Sequence, residues 1–299
     1  MTAPTGPPFR ERLADAVDTH GPLCVGIDPH PGLLEAWGLA ADAAGVERFA
    51  RGVVEALAGG VAVLKPQVAL FEEYGSAGIA ALERTLADAR AAGLLTIADA
   101  KRGDIGSTMA AYARAWLGDA APLAADAVTL SPYLGVGALT PALDLAAATG
   151  RGVFVLARTS NPEATAVQSA QAFAPAPGGG PRDVCEVAQG VVDTLVAYNA
   201  AHPGVGGVVV GATGGTTGQA HGLDLSRLDA AVLVPGLGAQ GATADDVARA
   251  FGDAWGPVVP SSSRDVLTAG PHPHAVRAAA DAVNGALRVR GLPVRPVGA

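Results

Sequence analysis

Cysteine is scarce in this 299-residue chain. Its two cysteines, Cys24 and Cys185, make no disulfide framework and sit in no metal-binding spacing. Aromatic residues are only 4%, so the core must be built from Ala, Val and Leu, which suits parallel strands under closely packed helices. Charge is sparse too, at 16% against 49% hydrophobic residues, and that balance excludes wholesale disorder. Positive charge is in deficit. A net charge of −8 argues against a general nucleic-acid or membrane surface, since both need basic patches. Any anionic ligand must then be met by locally focused Lys, Arg and backbone N–H groups. No run approaches the roughly 18–20 apolar residues of a membrane span. Residues 1–12 are rich in Pro and charge and lack the apolar centre of a signal peptide. The expectation is a soluble protein in a reducing, cytoplasmic setting, with no nucleic-acid and no membrane partner. The six histidines form no helical HxxxH pair, His272-Pro-His274 reads as a surface turn, and no metal site is expected.

What the chain does have is rhythm. Short apolar runs near 23–28, 61–66, 94–99, 127–130, 152–157, 207–210, 231–234 and 257–261 read as strands. Between them lie alanine-rich segments such as 45–58, 76–92 and 242–251, with the 3.6-residue apolar spacing of amphipathic helices. Eight strands alternating with helices fit a closed (β/α)8 barrel of ordinary size; a doubly wound open sheet is the alternative. No linker signature divides the chain, so residues 1–299 are expected to form a single domain. The stretch from about 159 to 181 contains Ala-Pro-Ala-Pro-Gly-Gly-Gly-Pro, too long and too Pro/Gly-rich for an ordinary connection. It reads as a mobile lid or as a tolerated insertion.

The densest chemistry is Asp99-Ala-Lys-Arg-Gly-Asp-Ile-Gly-Ser-Thr-Met109, directly after the third strand. Two carboxylates flank one ammonium, and in an extended chain Asp99 and Lys101 project from the same face. Such charge beside a buried strand is costly unless the groups pair or a site uses them. Gly103 and Gly106 permit a tight backbone path. A solvated surface cluster is the plainer alternative.

Other polar residues collect after strand ends, the face on which a barrel gathers its chemistry. Lys65 closes the second apolar run, where a lysine ordinarily snorkels. Delivered beside Asp99 and Lys101, it would extend an array Lys65, Asp99, Lys101, Asp104. Asp28 ends the first strand, and its plainer role is to cap a turn. Residues 234–242, including Pro235 and Gln240, and residues 260–266, including Arg264, follow the seventh and eighth strands, where barrels frequently bind phosphate. Glycine there exposes backbone N–H groups, and a guanidinium pairs bidentately with phosphate. The glycines of 211–218 resemble a dinucleotide-binding turn, but Asp229, the acidic residue at the right distance, precedes a strand instead of ending one.

Asp-Ala-Lys-Arg-Gly-Asp-Ile after a strand resembles the signature of the orotidine 5′-monophosphate decarboxylases, in the form of their longer bacterial branch. The resemblance runs from about Val25 to Val266. It implies a (β/α)8 barrel that decarboxylates orotidine 5′-monophosphate to uridine 5′-monophosphate without metal or organic cofactor. It also implies a homodimer with shared active sites. By the same resemblance Lys65, Asp99, Lys101 and Asp104 are the catalytic array, with Asp104, Ile105 and Thr108 reaching into the partner's site. Asp28 would bind the ribose, Ser160 the pyrimidine, and Gln240 and Arg264 the phosphate, with Pro235 among the substrate contacts. Sugar-phosphate decarboxylases or aldolases of the same superfamily share Asp-x-Lys-x-x-Asp but resemble metal enzymes with a carboxylate at the end of the second strand. Lys65 stands there instead, and its charge would oppose Mg²⁺. A catalytically inert nucleotide-binding protein is the further alternative.

Overall fold

The computed structural model describes residues 7–174, 183–213, 219–238, 241–251 and 257–290. Among the described residues ten strands run in chain order: β1 Cys24–Ile27, β2 Val63–Pro66, β3 Leu95–Arg102, β4 Ala127–Leu130, β5 Gly152–Arg158, β6 Gln171–Ala174, β7 Asp183–Glu186, β8 Gly206–Val210, β9 Val232–Pro235 and β10 Val258–Ser262. Eight of these close into a barrel in the order β1, β10, β9, β8, β5, β4, β3, β2, every pair parallel. Closure is made by Cys24 opposite Ser261 on one side and opposite Val63 on the other. The closed sheet is the (β/α)8 barrel, and the open-sheet alternative falls.

Both faces of these strands are covered, which is why they read as continuous apolar runs and not as alternating ones. Their outward side chains pack against the helices, among them Ala43–Leu57, Gly75–Ala91 and Gly106–Leu117. Cys24, Val63, Ile97, Ala127, Phe154, Leu233 and Val259 fill the inside. The helix Phe9–His20 stoppers the N-terminal end, inserting Phe9, Leu13 and Val17 into that same cluster. Phe9 meets Phe154 edge to face at 6.0 Å, and Gly152 is required there because a Cβ would lie 2.4 Å from the Phe9 ring. With the bottom plugged, only the C-terminal mouth is open.

The stretch after β5, expected as a lid or an insertion, carries regular elements among its described residues. Pro162–Ala164 forms a 3-10 turn, Thr165–Gln168 a short helix, and β6 pairs with β7 as an antiparallel ribbon outside the barrel. Arg158, at the end of β5, reaches Glu186 at the end of β7, tying the ribbon's base to the barrel. The Pro/Gly-rich residues 175–181 lie outside the described residues. His272 occupies the N-cap position of the helix Pro273–Val289, so His272-Pro-His274 is an exposed helix start and not a turn.

Candidate active site

The strand ends surround a cleft of about 460 Å³ at the open mouth. Asp99 is its centre. The carboxylate is 7% exposed and accepts four hydrogen bonds. Lys65 Nζ and Gln67 Nε2 donate to Oδ2 at 2.8 and 2.9 Å; Lys101 Nζ and Thr129 Oγ1 donate to Oδ1 at 2.6 and 2.9 Å. Two adjacent strands and their neighbour β4 thus saturate one buried anion.

Lys65 is not snorkelling. It is 5% exposed, with its ammonium held inside the cleft. Burial is the strongest single influence on it and opposes the charge, yet Asp99 and Asp28 outweigh burial and hold the ammonium above its ordinary range. Burial likewise works against the Asp99 carboxylate, but Lys65 and then Lys101 hold it far below the usual carboxylate range. Both groups are therefore charged throughout the neutral region. Beneath them, burial pushes the Cys24 thiol up to about 12, so this cysteine is an inert core residue.

The juxtaposition of Asp99 and Lys101 does not come from a regular pleat. Between the pairs Ala98–Val128 and Arg102–Leu130, three residues of β3 stand opposite one residue of β4. Lys101 takes φ 47°, left-handed for a non-glycine residue. Its side chain remains 45% exposed, free to reach a ligand.

Asp28, Ser160, Pro235 and Arg264 all line the same cleft. Asp28 Oδ1 is buried with no hydrogen-bond partner among the described residues, and so is Ser263 Oγ. Arg264 opens the short helix Arg264–Leu267 and has no ion-pair partner among the described residues. Gln240 lies outside the described residues. Asp104, Ile105 and Thr108 do not line this cleft. Asp104 accepts the N–H of Ile105 at 2.7 Å, Ile105 is 62% exposed, and Thr108 is exposed on the helix that follows.

Sequence reasoning missed Gln67, Thr129 and His30, which line the cleft together with Asn161, Ser261 and Ser263 from the polar strand ends already singled out. Gln67 was legible as the residue two beyond Lys65; Thr129 reads from sequence only as a β-branched strand former. The dinucleotide alternative loses its acidic residue, because Asp229 pairs with Arg10 of the stoppering helix at 3.4 Å, at the opposite end of the barrel. A larger surface depression of about 900 Å³ lies outside the barrel between the helices Ala43–Leu57 and Gly75–Ala91. It is remote from the strand ends, and Arg51 there is already paired with Glu47 and Asp88. Among the described residues no group of three or more His, Cys, Asp or Glu is placed to hold a metal ion, and no helix is long and apolar enough to cross a membrane.

The buried pair has a consequence for stability. A carboxylate whose folded pKa is depressed contributes stability above its unfolded value of about 3.9, and loses it as pH falls below that. Lys65, raised, contributes below its unfolded value of about 10.4 and fails only at higher pH. Asp99→Asn is therefore expected to cost about 3 kcal/mol at pH 7, since it leaves a buried ammonium short of its counter-charge. That deficit should narrow as pH drops from 4 towards 2, as measured by urea denaturation of both proteins. A deficit independent of pH would show that Asp99 is not ionised in the fold.

Fold and cleft together define a (β/α)8-barrel enzyme with a lysine–aspartate–lysine array at its mouth. The family model described as Orotidine 5′-phosphate decarboxylase / HUMPS family matches residues 21–279. The chain belongs to that family. It is 56% identical over 277 residues to orotidine 5′-phosphate decarboxylase of Salinispora arenicola, covering 92% of this chain and 95% of that one. The enzyme of the same name from Streptomyces coelicolor is 54% identical over 280 residues, covering 92% and 95%. A crystal structure from Streptomyces avermitilis, provisionally assigned as an orotidine 5′-phosphate decarboxylase, superposes with TM-score 0.85 at 51% identity, covering 95% and 96%. The OMP decarboxylase of Leishmania donovani superposes with TM-score 0.71 at 27% identity, covering 95% and 99%.

Proposed function

We propose that this chain, as one barrel domain in a cytoplasmic homodimer, decarboxylates orotidine 5′-monophosphate to uridine 5′-monophosphate, the last step of pyrimidine nucleotide synthesis. The observation that carries the reading is the buried Asp99 gripped by Lys65 and Lys101, in a cleft also lined by Arg264, which has no ion-pair partner among the described residues. Loss of CO₂ leaves an electron pair at C6 of the ring, with no carbonyl placed to delocalise it. A fixed ammonium beside C6 stabilises that pair and then supplies its proton. Lys101 takes this role, being near the array yet exposed enough to reach substrate and to regain a proton from solvent. The balance is simple: the C6–carboxylate bond breaks, CO₂ leaves, C6 takes the lysine proton, and the neutral amine is reprotonated.

Asp99 would lie near the departing carboxylate and keeps both lysines aligned. Lys65 holds Asp99 and a ribose hydroxyl. The partnerless Asp28 Oδ1 accepts from the ribose, and Ser160 meets the pyrimidine. Pro235 walls the ring and Arg264 takes the phosphate, to which the family resemblance also assigns Gln240. The phosphate is remote from the breaking bond, so its binding energy can order the charged site. The stretch at about 159–181 is read as a lid, since Thr159, Ser160 and Asn161 at its start line the cleft.

The competing reading is a sugar-phosphate decarboxylase or aldolase of the same superfamily. Lys65 argues against it, because a cation 2.8 Å from Asp99 occupies the place where Mg²⁺ would need carboxylates. No metal or organic cofactor is required by the proposed chemistry. Homodimerisation is supported by Ile105, Tyr133 and Leu134, exposed by 62, 82 and 54% around the loops after β3 and β4. Asp104 sits at the same edge.

The test is turnover of orotidine 5′-monophosphate by EDTA-treated protein, which is expected to match untreated protein. Activity that disappears and returns with Mg²⁺, or that appears only with a sugar phosphate, would reverse the reading. Arg264→Ala is expected to weaken binding of uridine 5′-monophosphate by about 1.5–3 kcal/mol while leaving that of uridine nearly unchanged. Isothermal titration with both ligands measures this; equal losses would remove Arg264 from the phosphate site.

A further inference from the structure

We propose that Thr129 is a positioning residue for this reaction, the group on β4 that holds Lys101 in its working conformation. The inference rests on the decarboxylase reading for its kinetic consequence, but its geometry is independent of it. Thr129 is the single β4 residue opposite the three-residue irregularity Asp99, Ala100 and Lys101. Its hydroxyl donates to Asp99 Oδ1 at 2.9 Å and accepts the backbone N–H of Lys101 at 3.0 Å.

The direction of both bonds is forced. A hydroxyl has one proton and two lone pairs, an N–H can only donate, and the Asp99 carboxylate is ionised and can only accept. Thr129 is 1% exposed, so water does not substitute for it. The N–H it satisfies belongs to a residue at φ 47°, a conformation a lysine adopts only where the surroundings impose it. One hydroxyl thus fixes the backbone of Lys101 and one oxygen of the carboxylate that Lys101 Nζ touches at 2.6 Å. The β-branched side chain has few χ1 choices on a strand, which keeps the hydroxyl aimed.

Thr129→Val keeps shape and branching and removes only the hydroxyl; Thr129→Ser keeps the hydroxyl. With orotidine 5′-monophosphate, Thr129→Val is expected to lower kcat about 30-fold or more, since sub-ångström misplacement of a reacting group is costly, with KM within about threefold because the phosphate contacts are untouched. Thr129→Ser is expected to restore kcat to within about threefold of the parent protein. In a crystal structure of Thr129→Val, Lys101 should leave the left-handed region or its Nζ should part from Asp99. The inference is overturned if Thr129→Val retains kcat within about threefold, or if both variants lose kcat in step with their melting temperatures. If Thr129→Val does not fold, Thr129→Ala takes its place under the same criteria. Should the parent protein fail to turn over orotidine 5′-monophosphate, the activity reading falls separately. The crystal structure still decides the positioning role: an unmoved Lys101 overturns it and a displaced one bears it out.

Discussion

Lys101→Ala is expected to lower kcat for orotidine 5′-monophosphate by about 10³-fold or more, because in the proposed mechanism one side chain supplies both the charge that stabilises C6 and the proton that quenches it. A positioned general acid is worth roughly 10²–10⁴ and a preorganised electrostatic donor roughly 10²–10³, and the two are not independent here. The fold should survive. Asp99 would still accept from Lys65, Gln67 and Thr129, so the buried carboxylate keeps three of its four donors. Lys101→Arg is expected to rescue little, since a guanidinium keeps the charge but gives up no proton near neutral pH. Steady-state kinetics, with circular dichroism to establish folding, decides the matter. A loss smaller than tenfold in a folded protein would remove Lys101 from the chemistry.

The second large effect concerns two subunits. Among the described residues Asp104 accepts only its neighbour's N–H, and it does not line its own chain's cleft. If it serves the neighbouring site, Asp104→Ala and Lys101→Ala are each expected to be nearly inactive alone. A mixture should regain activity. In a hybrid dimer one site lacks both side chains and the other has both intact. With random pairing about half the dimers are hybrids, each with one good site, so about a quarter of parental activity returns from two-fold symmetry. No recovery, once exchange of subunits has been demonstrated by mass-tagged protomers, would place Asp104 in its own subunit's site.

The barrel was legible because its parallel strands are buried on both faces and so stand out as apolar runs between amphipathic helices. All eight barrel strands fall on the predicted runs, although β3 continues past Asp99 to Arg102. Lys65, Asp99 and Lys101 were legible because charge at the end of an apolar run is conspicuous. The reason given for their meeting was incomplete. Pleat alternation puts Asp99 and Lys101 together, whereas the chain does so through an irregularity and a left-handed Lys101, and that geometry depends on Thr129 across the sheet. No local pattern announces such a partner. The β6–β7 ribbon was hidden for a similar reason: its short strands carry mixed polarity, and its tie to the barrel, Arg158 gripping Glu186, comes from another element.

The most direct test of the central claim is to run the reaction to completion in D₂O and examine the products. Purified protein given orotidine 5′-monophosphate, with no metal added, is expected to yield uridine 5′-monophosphate carrying a single deuterium at C6. CO₂ should appear in equal amount. That outcome joins bond cleavage to proton delivery from an exchangeable group such as the Lys101 ammonium. Unchanged substrate, or a product still bearing the carboxylate, would contradict the account.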